Sequence, residues 1–277
     1  MSATILSGLV ARAARVSRLV EKVKKLSYIP QLAIIQIGDR SDSTAYIKAK
    51  MAFAKKIGVD IKYTNFKETI SQPEVLAAVK NLNVDHSIQG IIIQLPLPAD
   101  IDRATIIEAI DPTKDVDGLT STNYDKLLSG DTFAIVPATA RGVKELLAYY
   151  LISLKGKRVA VVGRSRLVGA PIAVLCRNDG AEVMVCHSKT VNLADETKKA
   201  DIVIVAVGKP GLIGADHIKK GAIVIDIGIS KMPDASLKGD VDFEAVKDIA
   251  SAISPVPGGV GPMTVLGLFE NIIDASL

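Results

Sequence analysis

The chain of 277 residues has no tryptophan, 4% aromatic residues, two cysteines and three histidines. Each scarcity closes off a class of protein. Cys176 and Cys186 lie ten positions apart with no CxxC, and the histidines are scattered. Neither a disulfide framework nor a zinc site is therefore expected, no metal is assigned, and the cysteine usage fits a reducing cytoplasm. No apolar run reaches the ~18 residues that a membrane-spanning helix needs, so no membrane partner is expected. Basic residues are not interleaved with stacking aromatics, which makes nucleic acid a poor partner for a formal charge of +4. Solvated helix lysines account for that excess, with local attraction for small anions as the alternative.

What is present reads as a globular α/β chain, 48% hydrophobic and 23% charged. The oily segments "RVAVVG", "DIVIVAVG" and "AIVIDIGIS" are short and β-branched, as buried parallel strands are. The N-terminal segment "MSATILSGLVARAARVSRLVEKVKKL" carries Arg and Ser with almost no acid, superficially like a transit peptide. It lacks the apolar centre of a signal peptide. Leu9, Val10, Ala13, Val16, Leu19, Val20 and Val23 follow helical spacing, so it is expected to be the first helix of the domain.

Beyond it, "QLAIIQIG" (31–38), "VDIKYTNF" (59–66) and "GIIIQLPLP" (90–98) are expected as strands. Helices are expected over 43–57, closed by Gly58, and over 71–82, with Ser71 as N-cap. This β-α-β-α-β order predicts a parallel sheet. Residues 101–118 are read as a short helix and a loop, and the less periodic 119–139 as a linker. From residue 140 a second doubly wound series begins, with strands at 157–163, 181–186, 201–208 and 222–228. The expectation is two lobes, an N-terminal α/β lobe (1–118) and a Rossmann-like lobe (140–263), with a ligand cleft between them.

"VVGRSRLVGAP" follows one of these strands and opens a helix, where a phosphate-binding turn belongs. It is not GxGxxG: Gly163 and Gly169 are separated by five residues, which alone is weak evidence. NAD-preferring sites carry a carboxylate about 20 positions further on, against the ribose 2′-hydroxyl. Here "CHSKT" (186–190) has none. Arg164, Ser188 and Lys189 suit a 2′-phosphate, so NADP is expected over NAD, the alternative being a lobe that binds no dinucleotide.

In the first lobe, Tyr46 and Lys50 are four apart, hence on one helix face, while Lys48 points elsewhere. Gln94 stands at the carboxyl end of a strand. "KDVDG" places Asp115 and Asp117 on a tight loop. Singly, each has an ordinary reading: a surface Tyr/Lys pair, a strand end, a turn aspartate.

Together they resemble the bifunctional methylenetetrahydrofolate dehydrogenase/cyclohydrolase (FolD-type) family. The matching pieces run in order: "SxxYxxxK" at Ser43–Lys50, "GIIIQLPLP" at 90–98, "KDVDG" at 114–118 and "VGRSxxVGxP" at 162–171. "CHSKT" at 186–190, "GDVDF" at 239–243 and "PVPGGVGPMT" at 255–264 complete the series. The resemblance implies NADP-dependent oxidation of 5,10-methylenetetrahydrofolate and hydrolysis of the methenyl product to 10-formyltetrahydrofolate. It implies a catalytic Lys50 oriented by Gln94, Tyr46 stacked on the folate, and Asp117 on the pterin edge. Pro257, Gly258 and Gly259 would contact substrate, with Gly261 allowing close backbone approach. Gly163, Arg164, Ser165, Val168, Gly169, His187, Ser188 and Ile229 would hold NADP. It also implies a homodimer paired through the Rossmann faces, and a final helix (264–277) that returns to the first lobe.

The chain departs from the family pattern at Ala52, at "LTS" (119–121), at "PATARG" (137–142) and at Ala170, where the family has lysine. No proposed catalytic residue is missing. Three alternatives stand beside this reading: a dehydrogenase without the hydrolase, a non-catalytic NADP-binding protein, and a different Rossmann-type dehydrogenase acting on a small acid.

Overall fold

A computed structural model describes residues 3–276, the side chain of residue 42 apart. In chain order the elements are β1 (Thr4–Ile5), α1 (Gly8–Lys24), β2 (Gln31–Ile37), α2 (Ser41–Ile57), β3 (Asp60–Phe66), α3 (Gln72–Val84) and β4 (Gly90–Ile93). Then come α4 (Arg103–Glu108), α5 (Ser121–Ser129), α6 (Ala138–Tyr149), β5 (Arg158–Val162), α7 (Gly169–Asn178) and β6 (Glu182–Cys186). The chain ends with α8 (Leu193–Thr197), β7 (Ile202–Val205), β8 (Ile223–Asp226), β9 (Ser230–Lys231), β10 (Leu237–Lys238), α9 (Phe243–Val246), β11 (Ala252–Ile253) and α10 (Val260–Asp274). The described residues include no helix long and apolar enough to cross a membrane.

The chain divides into two compact units, one of residues 14–138 and 265–277, the other of residues 1–13 and 139–264. The first holds a parallel three-stranded sheet in the order β3-β2-β4. Six of the seven β2 residues are buried, as a strand covered on both faces must be. Ala33, Ile35, Ile91 and Ile93 pack with Val75 and Val79 of α3 and Ile106 of α4. Burying each such Val or Ile contributes about 1.5–3 kcal/mol. Phe53 of α2 and Phe269 of α10 meet at 5.5 Å within this unit. Helix α2 ends where Gly58 turns left-handed (φ 83°), and α3 starts at a capping box between Ser71 and Glu74.

The second unit holds a six-stranded parallel sheet in the order β1-β11-β8-β7-β5-β6. The order reverses between β5 and β7, the switch point at which doubly wound sheets take their ligands.

Three expectations give way. Residues 3–13 belong to the second unit, because β1 pairs with β11 and Gly8 N–H donates to Gly258 O. A Cβ on Gly8 would lie 1.8 Å from Gly259 O. A two-residue strand leaves no periodic signal. The segment 119–139 is not a bare linker: it contains α5, capped by Thr120 and closed by Gly130 at φ 75°. Strand β4 stops at Ile93 rather than running on to 98, where prolines lack the N–H a ladder needs.

Candidate active site

In the first unit, α2 presents Tyr46 and Lys50 one turn apart, with Ser43 buried at the helix start and Lys48 exposed. Lys50 Nζ donates to Gln94 Oε1 at 3.0 Å, and Gln94 Nε2 donates to Leu95 O at 2.9 Å. The second bond fixes which end of the amide meets the lysine. Burial lowers the Lys50 pKa below the ordinary lysine value, while the charge of Asp117 pulls it back up. Burial raises Asp117 above the usual carboxylate range, with Lys50 opposing and Asp115 reinforcing the rise. Lys50, Gln94 and Asp117 therefore form one electrostatic group. Tyr46 is 39% exposed, leaving ring surface open to a ligand.

The loop that carries Asp117 is braced on every side. Asp115 is buried and accepts from the Leu119 and Thr120 N–H groups, the Thr120 hydroxyl and Asn123 Nδ2. Burial raises its pKa while those four donors pull it down. Gly118 adopts φ 69°, and a Cβ there would lie 2.7 Å from Pro137 N, so only glycine fits. The Asp117 carbonyl accepts from Ala138 N–H. Asn271 of α10, buried, donates from Nδ2 to Val116 O and Val136 O, both at 2.8 Å. Sequence reasoning missed Asn271; its signal is a polar pair, Glu270 and Asn271, inside the apolar run of α10.

The remaining candidates lie in the second unit. Gly163 ends β5 at φ 124° and donates its N–H to Cys186 O, which joins the turn after β5 to the turn after β6. A Cβ on Gly163 would lie 2.3 Å from Ala206 O, and one on Gly169 would lie 2.2 Å from Gly163 O. The backbone is thus drawn tight around the start of α7, as a phosphate turn requires. Arg164 and Ser165 are exposed on this turn, with Val168 half-buried before α7. On the neighbouring turn Ser188 and Lys189 are exposed, while His187 Nδ1 accepts from Lys189 N–H. Two cationic side chains and a hydroxyl flanking tight backbone at a helix start fit a phosphorylated dinucleotide. Ile229 is 37% exposed and lies beside Gly261, where an added Cβ would meet its Cδ1 at 3.7 Å. Pro257, Gly258 and Gly259 form the turn before α10, with Gly258 at φ 101°. Among the described residues no group of three or more His, Cys, Asp or Glu is placed to hold a metal ion.

A dinucleotide-type parallel sheet, together with a second parallel unit carrying a desolvated lysine and carboxylate, defines a two-unit α/β oxidoreductase. Residues 6–117 match the family model for the tetrahydrofolate dehydrogenase/cyclohydrolase catalytic domain, and residues 137–277 match that for the NAD(P)-binding domain. The chain belongs to the tetrahydrofolate dehydrogenase/cyclohydrolase family. The bifunctional protein FolD of Nautilia profundicola is 49% identical over 258 residues, 93% of this chain and 90% of that protein. The crystal structure of the bifunctional FolD methylenetetrahydrofolate dehydrogenase/cyclohydrolase of Campylobacter jejuni superposes with a TM-score of 0.96 at 40% identity, over 99% of both chains. The Trypanosoma brucei methylenetetrahydrofolate dehydrogenase-cyclohydrolase, complexed with NADP and an inhibitor, gives 0.94 at 36% identity, over 100% of this chain and 98% of that one.

Proposed function

We propose that the protein oxidises 5,10-methylenetetrahydrofolate reversibly with NADP and hydrolyses the methenyl product to 10-formyltetrahydrofolate. The observation that carries this reading is the bond from Lys50 to Gln94, with Lys50 lowered by burial, in the unit that matches the catalytic domain model.

The two steps ask different things of the chain. Oxidation removes a hydride from a carbon between two nitrogens, whose lone pairs stabilise the resulting cation. No strong protein base is needed; the task is positioning. Bound NADP supplies the hydride acceptor. Tyr46 offers a ring face for the flat folate, and Asp117, held by the braced loop, accepts N–H bonds from the amino-pyrimidinone edge. Pro257, Gly258 and Gly259 contribute backbone that approaches substrate closely.

Hydrolysis needs proton traffic. Neutral Lys50 takes a proton from water as the C–O bond forms at the methenyl carbon. Gln94 Oε1 accepts one Lys50 N–H, which turns the nitrogen lone pair towards the reacting water. The Lys50 ammonium then returns its proton to N5 as the C–N5 bond breaks. The hydroxyl proton leaves to solvent, and the formyl group stays on N10.

For the coenzyme, Gly163, Ser165, Val168 and Gly169 would shape the phosphate turn, and Arg164 with Ser188 and Lys189 would receive the 2′-phosphate. His187 braces the second turn, and Ile229, part-exposed, would contribute an apolar contact to the bound coenzyme. The NADP bound in the T. brucei relative supports this choice. The proposed chemistry places the protein in one-carbon metabolism that feeds purine biosynthesis, in the cytoplasm. A homodimer through the edge strand β6 is supported by its half-exposed Val183, Met184 and Val185. Val183, Met184 and Arg158 line a groove of about 340 Å³.

The test is absorbance at the methenyl band with purified protein, methylenetetrahydrofolate and each coenzyme in turn. The expected trace rises with NADP and then decays by hydrolysis. A rise without enzymatic decay would leave a dehydrogenase alone, and no rise with either coenzyme would reject the reading.

A further inference from the structure

Two buried carboxylates in the second unit belong to no part of the chemistry above. Asp226 ends β8 and is 3% exposed; Asp240, in "GDVDF", is fully buried. Each is satisfied by three backbone N–H groups. Asp226 Oδ1 accepts from Gly228 and Asp240, and its Oδ2 accepts from Val241. Asp240 Oδ2 accepts from Val207 at 2.7 Å and Gly208 at 3.0 Å, and its Oδ1 accepts from Lys209 at 2.6 Å. The first carboxylate thus holds the segment 239–241, and the second, carried on that segment, holds the turn after β7.

Glycines make room for both. A Cβ on Gly239 would lie 1.9 Å from Asp226 Oδ2, and one on Gly228 would lie 2.1–2.4 Å from the Asp240 carboxyl atoms. Backbone pairing ties the same pieces together, from Gly211 to Gly239 and from Ile213 to Asp240.

What this fixes is a single peptide plane. The Val207 N–H bound by Asp240 and the Ala206 carbonyl belong to the same planar unit, in which N–H and C=O point opposite ways. That carbonyl is the group a Cβ on Gly163 would strike at 2.3 Å, and Ala206 N–H donates to Val162 O on β5. Strands β5 and β7 flank the switch point, so this peptide is the floor of the Gly163–Gly169 turn. Turning the peptide would drive its oxygen into Gly163 or withdraw the support beneath it.

We propose that Asp240 is a positioning residue for the coenzyme, holding the 206–207 peptide in the orientation that keeps the phosphate turn closed, with Asp226 holding Asp240 in turn. The proposal rests on the reading of Gly163–Gly169 as the coenzyme site. It concerns the turn beneath the dinucleotide phosphates and not the 2′-phosphate, so its signature is loss of NADP and NAD binding in equal ratio.

The experiment is titration of NADPH and NADH by fluorescence against wild type, Asp240→Asn and Arg164→Ala, with methenyl hydrolysis measured separately without coenzyme. An Asn amide turns N–H groups towards donors that need an acceptor. Asp240→Asn is therefore expected to weaken both coenzymes about tenfold or more, the loss of about 1.4 kcal/mol, with hydrolysis within about twofold of wild type. A purely structural role would lower both activities in step, by the folded fraction, and leave the dissociation constants unchanged. That result overturns the proposal, as does wild-type affinity in Asp240→Asn when Arg164→Ala has lost NADPH. A wild type that binds neither coenzyme overturns the coenzyme reading and the proposal together.

Gly228→Ala displaces the Asp240 carboxylate without removing it and is expected to show the same equal loss. Should neither variant fold, amide exchange in the wild type decides. The Val207, Gly208 and Lys209 amides are expected to be protected and to slow further when NADPH is added. Exchange at open-loop rates, or no response to NADPH, refutes the assignment.

Discussion

Asn271 Nδ2 donates to the carbonyl of Val116, 155 positions earlier, and to that of Val136, so a side chain of the last helix holds the loop that presents Asp117. Removing it in Asn271→Ala leaves two carbonyls without that donor. The expected cost is about 2–4 kcal/mol of stability, read by denaturant titration. The KM for methylenetetrahydrofolate should also rise, because Asp117 loses its fixed position. A variant that is destabilised with an unchanged KM would separate the brace from the site.

Lys50→Met should abolish methenyl hydrolysis, with a loss of about 10²–10⁴ in rate, while hydride transfer survives at reduced rate. The pH profile carries the sign. Because burial lowers the Lys50 pKa, the neutral amine forms at a lower pH than in an ordinary lysine. Hydrolysis should therefore rise with pH through that lowered value and level off below the usual lysine range. Unchanged hydrolysis in Lys50→Met would remove this residue from the mechanism.

The lysine site was legible because its parts are local. Tyr46 and Lys50 share a helix face by spacing alone, and Gln94 is fixed at a strand end by the prolines that follow it. The sheets were legible for the same reason, since β4, β7 and β8 are short runs of Ile and Val. What escaped depends on distance along the chain. The pairing of β1 with β11 joins residues about 250 apart through two-residue strands, and no period forms over two residues. Asn271 and Asp240 act on backbone groups far from their own positions, so the polar pair in α10 and the motif "GDVDF" mark the residues without showing what they bind. Helix α5 did carry a signal, Thr120 as cap and Gly130 as stop, hidden by its short length and its mostly polar first half.

Arg164→Ala should raise the KM for NADP far more than that for NAD. The arginine is exposed on the turn after β5, and Ser188 is exposed on the neighbouring turn, which the bond from Gly163 to Cys186 ties to it. A charge-assisted bond to the 2′-phosphate contributes about 1.5–3 kcal/mol, or roughly 10- to 100-fold in affinity. Steady-state kinetics with both coenzymes checks it. Equal effects on the two would end the 2′-phosphate role and leave the phosphate turn as the only contact for this side chain.

Stability depends on pH through the buried carboxyls of both units. Burial and the neighbouring Asp240 push Asp226 up to about 6, against the pull of three backbone donors. Its folded value thus lies above the unfolded value of about 3.9. Above about pH 6 the carboxylate is charged in both states, and the cost of burying that charge is fully present. As pH falls from 6 towards 4 the folded state takes up its proton first, so this contribution makes the protein more stable. Asp115 and Asp117, also raised by burial, act in the same direction. Asp85 runs the other way: bonds from Ser87 and Lys62 lower it to about 2, so its contribution is present above the unfolded value and lost as pH falls towards 2. Thermal unfolding should therefore show Tm rising from pH 7 to about 5 and falling below about 4. The carboxyl-carbon resonance of Asp226 assigns the first limb. A midpoint near 6 is expected, and a midpoint below 4 would show that the three backbone donors outweigh burial.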